Sequence, residues 1–145
     1  TPTLYNFDSI GIYNRQKFIQ LGGFDYTITS SYWQNLDFCM RSWLWGEKII
    51  CSPLFRLSYE DVSPVEDSTF DSSYLRFYLK NLLPQYQYDS AYIPISTFFG
   101  FARRSSSLFN SFSLFKSARS WVETNKYRFK TDASSLISQW DDKKE

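Results

Sequence analysis

The segment from Leu21 to Ile50, LGGFDYTITSSYWQNLDFCMRSWLWGEKII, constrains the fold most, because a glycine turn, a polar loop and an amphipathic helix follow one another in it. The pair Gly22-Gly23 permits a turn with positive φ. A loop rich in Thr and Ser follows, and Ser31 with Gln34 has the spacing of a capping box. The apolar residues then predict a helix from Tyr32 to Trp45. The segment is therefore expected to fix a loop against one helix.

The predicted helix has an apolar face and a polar face. On the polar face Asp37 and Arg41 lie one turn apart and can form an ion pair. Gly46 is expected to end the helix, and the apolar run from Lys48 to Cys51 is typical of a strand. Because the polar face is expected to meet solvent, the segment can hold a carboxylate beside the loop. The apolar face carries Trp33, Leu36, Cys39, Met40, Trp43 and Leu44, and the polar face carries Gln34, Asn35, Asp37, Arg41 and Ser42.

Composition limits the class of protein. A chain of 145 residues with 43% hydrophobic residues is long enough to bury one core. The net charge of +1 offers no basic field that would favour nucleic acid. His is absent, which excludes a Ser–His nucleophile and a Cys/His zinc cluster. Cys39 and Cys51 are expected to be buried, reduced thiols of a cytosolic protein, and no apolar run is long enough to span a bilayer.

The first half is expected to mix strands and helices. Partial alternation of apolar residues predicts a strand over Leu4 to Tyr13, and Asn14 can cap a helix of about two turns. After the central segment, alternation predicts another strand over Leu54 to Tyr59. The acidic, Ser- and Pro-containing stretch from Glu60 to Ser68 is typical of a loop.

The second half is expected to be mostly helical, with a connector of no clear period from Gln85 to Pro94. Its first helix starts after Asp71 or Ser72 and ends before Pro84. Further helices are predicted over Ser105 to Thr124 and from Thr131 or Asp132 onward, the last with Ala133, Leu136, Ile137 and Trp140 facing inward.

The central segment and its lead-in resemble the carboxyl-terminal half of family 2 glycosyltransferases with the GT-A fold. That family carries G-G-F-D-E, a short loop, E-D-x-D, a hydrophobic pair, R, then G and a strand on its acceptor side. The resemblance covers roughly residues 4 to 60. The family's Glu-Asp pair, which contains the catalytic base, is replaced here by Gln34-Asn35, and amides cannot take up a proton. The matching residues are Gly22-Gly23-Phe24-Asp25, Asp37, Arg41, Gly46 and Lys48-Ile49-Ile50, preceded by Ile10-Gly11-Ile12-Tyr13-Asn14-Arg15-Gln16-Lys17-Phe18.

The resemblance implies an α/β fold, with part of a GT-A sheet-and-helix core over residues 1–70 and a mostly helical extension packed on it over 71–145. It implies transfer of a sugar from a nucleotide sugar to a glycan or lipid-linked acceptor, as in cell-surface polysaccharide synthesis. A divalent metal, Mg²⁺ or Mn²⁺, would be bound mainly by residues upstream of this chain. The chain alone is therefore expected to be inactive. The full-length enzyme is expected in the cytoplasm or at the inner face of the membrane.

By the same resemblance, Asp37 is the candidate general base, since transfer with inversion needs a carboxylate that accepts the acceptor's hydroxyl proton. The alternative is an exposed helix acid that only pairs with Arg41. Tyr32, Gln34, Asn35 and Arg41 are the candidate acceptor-binding residues. For Gln34 the alternative is the capping-box partner of Ser31, and for Asn35 an ordinary surface amide.

Glu60 and Asp61 follow the second predicted strand, near the position where relatives carry a His that contacts metal or diphosphate. They are the candidate oxygen ligands for that role, and the alternative is an acidic surface loop. A different function also remains open. Aromatic residues make up 21% of the chain, so a non-catalytic glycosyltransferase-like domain could use an aromatic surface to bind protein, glycan or a second copy.

Overall fold

The computed structural model describes residues 1–54, 56, 58, 60, 65–103 and 108–141, without the side chains of 108–110 and 141. Within these residues the chain is mainly helical, with one small two-stranded sheet. The α/β prediction is therefore confirmed in the coarse sense that helices accompany a sheet. The helices are α1 (Arg15–Gln20), α2 (Ser31–Leu44), α3 (Ser72–Phe77), α4 (Thr97–Ala102), α5 (Leu108–Asn125) and α6 (Ala133–Asp141), with a π-helical turn at Tyr78–Leu82 and strands β1 (Gln85–Gln87) and β2 (Ser90–Tyr92).

Helix α2 is the element around which the other helices are arranged. Its cap is Ser30, whose hydroxyl accepts the backbone N–H of Trp33 at 3.4 Å, so the helix begins one residue before the predicted start. Gly46, with a φ of +89°, follows the last turn and ends the helix as predicted. The predicted apolar face of the helix is confirmed at these positions. Met40 is buried in the main core, and Leu36 and Trp43 are partly buried against it.

The prediction of a solvent-facing polar side on α2 is wrong. Asn35, Asp37, Arg41 and Ser42 are all buried, with Asp37 at 0% exposure. The reason is that the helix is covered on both sides. The Asn35 amide donates to the carbonyl of Asn6 in the amino-terminal segment at 2.6 Å, and α3 with the π-helical turn packs on another side of α2.

Two apolar clusters hold these elements together. The larger one joins α2 to the carboxyl-terminal helices and includes Leu44, Leu79, Val122 and Phe129, each 1% exposed. The smaller one packs α1 against α2 through aromatic rings, those of Tyr13, Phe18, Phe24 and Phe38. Burial of these rings stabilises the packing on that side of α2.

The strands predicted in the first half do not form in the described residues. Over Leu4 to Tyr13 the chain instead makes a 3₁₀ turn at Phe7–Ser9, with left-handed φ of +50° at Asp8. The run from Lys48 to Cys51 makes only a single antiparallel bridge, between Ile50 and Pro2. A strand needs a neighbour to satisfy its backbone, and a single bridge is too short to supply one. The strand predicted over Leu54 to Tyr59 lies partly outside the described residues, at 55, 57 and 59.

In the second half the three predicted helices are present within the described residues, and α4 is a further helix that the pattern did not predict. The Asp71 carboxylate caps α3 by accepting the N–H groups of Ser73 and Tyr74, and the helical stretch ends before Pro84. The connector after Pro84, whose sequence has no clear period, forms the β1–β2 hairpin, turned by left-handed Tyr88 and Asp89. The last helix is confirmed, except that its Ile137 is 53% exposed rather than inward. No helix in the described residues has the length and apolar content needed to cross a membrane.

Candidate functional site

Asp37 lies at the centre of a buried network of polar side chains. Its carboxylate accepts hydrogen bonds from the Arg41 guanidinium at 2.9 Å and from the Asn81 amide at 2.8 Å. The Lys80 ammonium lies 3.2 Å from the same carboxylate. Because every one of these side chains is buried, the charge of Asp37 is balanced by protein groups and not by water.

Arg41 fixes the glycine turn against α2. One terminal nitrogen of its guanidinium donates to the carbonyl of Leu21 at 2.7 Å and the other to the carbonyl of Gly23 at 2.7 Å. Gly22 and Gly23 have φ of +83° and +62°, a conformation that residues with a Cβ rarely adopt. The Asp37–Arg41 pair therefore holds in place the loop that starts at these glycines.

Lys80 joins this network to a second carboxylate, that of Asp25, at 2.7 Å. The Asp25 side chain is 17% exposed, so it is the network's acidic group that reaches solvent. Burial alone raises the pKa of Asp25, but hydrogen bonds from the Lys80 ammonium and from Thr27 outweigh burial and lower the pKa to about 2. Asp25 is thus a fixed negative charge at any physiological pH.

A pocket of about 370 Å³ opens beside this network. Asp25, Arg41 and Lys80 line one part of it, and residues of α5 line another, including Trp121. The Lys80 ammonium lies 4.4 Å from the centre of the Trp121 ring, a cation–π contact. An aromatic face, hydrogen-bond acceptors and charged donors together suit a small polar ligand with hydroxyl groups.

The structure gives the candidate base Asp37 a different setting from either sequence interpretation. Its pairing with Arg41 is confirmed, but the expectation of an exposed acid is wrong because no part of the side chain meets solvent. The Asp37 side chain is buried because Lys80 and Asn81, from a distant part of the chain, pack against it. A catalytic role for Asp37 stays a prediction.

The other candidate acceptor residues near the start of α2 make internal contacts. The Gln34 amide donates to the carbonyls of Asp25 and Ile28 at 2.9 and 3.1 Å, so it stabilises the loop and is not a capping-box partner. Asn35 is 1% exposed and bonded to the amino-terminal segment. The ring of Tyr32 is half-buried and packs edge-on against Trp33. Of the candidate acceptor residues, Arg41 lines the pocket.

The candidate metal or diphosphate ligands are less defined. Glu60 is exposed, and Asp61 lies outside the described residues. Among the residues that the structure describes, no group of three or more Cys, Asp or Glu side chains could hold a metal ion. Of the two thiols, Cys39 is buried as expected, whereas Cys51 is exposed, which corrects the expectation for that residue.

Sequence reasoning missed Lys80 and Asn81, which complete the network. Both lie in the π-helical turn, in a stretch where the apolar residues predicted only a helix with a packing face. A signal was present, because Lys80 directly follows Leu79 and precedes Leu82 in a stretch expected to be buried. A Lys and an Asn in such a place need polar partners, although the sequence does not show which carboxylates supply them.

Comparisons with protein-family models, with curated proteins and with solved structures find no match to this chain.

Proposed function

We propose that this chain is the acceptor-side portion of a family 2 glycosyltransferase with a GT-A-like core. In this proposal the full-length protein transfers a sugar from a nucleotide sugar to a glycan or lipid-linked acceptor, in the synthesis of cell-surface polysaccharide. The nucleotide and a divalent metal would be held mainly by an upstream segment. The present residues would then bind and orient the acceptor.

One observation carries the proposal. The polar residues that match the family pattern, Asp25, Asp37 and Arg41, belong to one connected network with the glycine turn, and Lys80 from the carboxyl-terminal half bridges the two carboxylates. The Asp37–Arg41 contact is expected of any helix with this spacing, but the bridge from Lys80 to both Asp25 and Asp37 is not, and it joins the loop and the helix of the pattern at one place. The network also borders a pocket that suits a sugar, which is the kind of ligand that the pattern implies.

Within this proposal Asp25 is the carboxylate that meets the acceptor. Its pKa of about 2 makes it a poor proton acceptor at neutral pH, because a general base works best with a pKa near the working pH. It is well suited to accept hydrogen bonds from sugar hydroxyls. Asp37 would then support the site by holding Arg41 and the loop in place.

The alternative is a non-catalytic glycosyltransferase-like domain that binds glycan or protein. Two observations favour it over an enzyme. The amides Gln34 and Asn35 stand where the family has its acidic pair, and the remaining carboxylate of the E-D-x-D motif, Asp37, is fully buried. A domain that only binds needs the pocket but no proton acceptor.

Sugar transfer by the full-length protein, with a panel of nucleotide sugars and glycan acceptors, tests the proposal. Asp25→Asn is expected to raise the acceptor KM at least tenfold, because the charged acceptor of hydrogen bonds is lost. Asp67→Asn is the matched control. Asp67 accepts from Thr69 as Asp25 does from Thr27, but it does not line the pocket. Absence of transfer from every donor, with glycan binding retained, would favour the binding domain instead.

A further inference from the structure

The pocket beside the network carries positive charge that no carboxylate of the described residues neutralises. The two carboxylates of the network are balanced by its two cations, Arg41 and Lys80. Two more cations, Arg76 and Arg128, line the same pocket, which has no carboxylate besides Asp25 among its lining residues.

Neither of these two arginines has a counter-ion in the described part of the chain. Arg76 has no hydrogen-bond or ion-pair partner there, and it is partly exposed. Arg128 donates to the carbonyl of Gln20 at 2.8 Å, and its guanidinium lies 4.9 Å from the centre of the Trp45 ring. A neutral carbonyl and an aromatic face orient a cation without cancelling its charge.

Two residues of the lining, Arg41 and Trp45, each have a buried N–H group without a partner in the described part of the chain. Arg41 is 4% exposed, and its Nε has no hydrogen-bond partner within the described residues. The same holds for the indole N–H of Trp45, another lining residue. Because both N–H groups are buried, they do not face the pocket, and the preference for an anion rests on the charges of Arg76 and Arg128.

We propose that this pocket binds an anionic sugar, whose phosphate or carboxylate group lies against Arg76 and Arg128. A planar guanidinium matches both groups, since each presents two oxygens to its fork of N–H donors. Asp25 would accept hydrogen bonds from the hydroxyl groups of the sugar, and the Trp121 ring would supply an apolar face. The inference rests on the proposed function for the sugar part of the ligand, whereas the anionic part follows from the charges alone.

Titration calorimetry with three probes of similar size tests the inference: glucose 1-phosphate, glucuronate and glucose. The expected result is that at least one of the two anions binds at least tenfold more tightly than glucose. The anion that binds more tightly identifies the group that the pocket prefers. The affinity for that anion should also fall as salt is raised, because the arginines are partly exposed and are screened by ions.

Variants identify the arginines as the cause. Arg76→Gln should weaken binding of the preferred anion at least tenfold while leaving the affinity for glucose unchanged. Arg15→Gln makes the same change of charge on the exposed surface of α1, away from the pocket, and should leave both affinities unchanged. Arg128→Gln should act like Arg76→Gln, with its thermal unfolding measured in parallel because it also loses its contact with Trp45.

Equal affinity for the anions and for glucose would overturn the inference, as would an Arg76→Gln protein that binds the anions normally. Failure of the proposed function gives a different outcome. In that case the full-length protein transfers no sugar, but Arg76→Gln can still weaken the binding of the preferred anion. Binding of both anions without any binding of glucose would leave an anion site, and it would overturn the inference that the pocket recognises the sugar itself.

Discussion

The side-chain amide of Asn81 donates to the carboxylate of Asp37 at 2.8 Å, across 44 residues of chain. The amide has a second bond, to the carbonyl of Phe77 at 3.2 Å, so the π-helical turn holds it in a fixed orientation. This contact connects the central helix to the carboxyl-terminal half of the chain. It also makes the charge of Asp37 part of the packing between the two halves.

Replacing Asn81 by Asp tests how tightly that contact is packed. Asn81→Asp would set a second carboxylate against Asp37 in a buried site, where like charges repel strongly. We expect the free energy of unfolding at pH 7 to fall by about 3 kcal/mol or more, as for an unpaired buried charge. Because the new carboxyl can be protonated, urea unfolding near pH 5 should show part of the loss restored. An equal loss at both pH values would contradict the charge argument.

Acid stability should depend on Asp25. Its pKa is lowered in the folded protein from 3.8 to about 2, so the folded state binds this proton less readily than the unfolded chain does. The resulting stabilisation is present above pH 4 and is lost as the pH falls toward 2. Asp25→Asn should therefore flatten the decline of unfolding free energy over this interval, measured by denaturant unfolding at closely spaced pH values. Parallel profiles for the two proteins would mean that the ion pair with Lys80 is absent in solution.

The two thiols should react at very different rates. Burial raises the pKa of Cys39 to about 11, and its Sγ lies 3.0 Å from the side-chain oxygen of Asn6. Since the thiolate is the reactive form, Cys39 should be modified only when the protein opens, whereas exposed Cys51 should react at once. Iodoacetamide labelling followed by peptide mass spectrometry measures both rates. The Cys51→Ser variant should show no fast phase, and a fast phase there would show that the amino-terminal segment does not cover α2.

Gly46 and Gly100 should respond in opposite ways to the same substitution. Gly46 has a φ of +89°, and an added Cβ would lie 3.2 Å from the Lys130 side chain. Gly46→Ala is therefore expected to destabilise the protein by about 1 kcal/mol or more. Gly100 lies inside α4 with open space around the position of a Cβ, so Gly100→Ala should be neutral or stabilising by up to about 1 kcal/mol. Thermal unfolding of the two variants side by side gives the comparison.

The local features of the fold could be predicted, because they depend on residues close together in sequence. The glycines after α1 and α2, the Asn14 and Asp71 caps and the span of α2 all follow from side-chain chemistry within a few residues. The hairpin at Tyr88-Asp89 was missed because its turn lacks the glycine that usually marks it.

The predictions that were wrong concern features that depend on distant parts of the chain. A strand near Ile10 or Ile49 needs a neighbouring strand, and the periodicity of one segment does not reveal whether a neighbour exists. The polar face of α2 was expected to meet solvent because charged residues are rarely buried alone. Its burial becomes favourable only with Lys80 and Asn81, which lie more than 40 residues away along the chain. No pattern within α2 could show them.

Asp37 supports the fold and the pocket as a buried, paired charge. The direct test compares the urea unfolding of Asp37→Asn with that of Glu123→Gln. Both substitutions replace one carboxylate of a helical ion pair by an amide, but the Glu123–Lys126 pair is exposed.

We expect Asp37→Asn to lower the free energy of unfolding by about 3–5 kcal/mol, because Arg41 and Lys80 lose a buried counter-ion. Glu123→Gln is expected to lower it by at most about 0.5 kcal/mol. If Asp37→Asn were as stable as the Glu123→Gln control, the buried network would contribute little to folding, and Asp37 would return to consideration as a residue retained for catalysis.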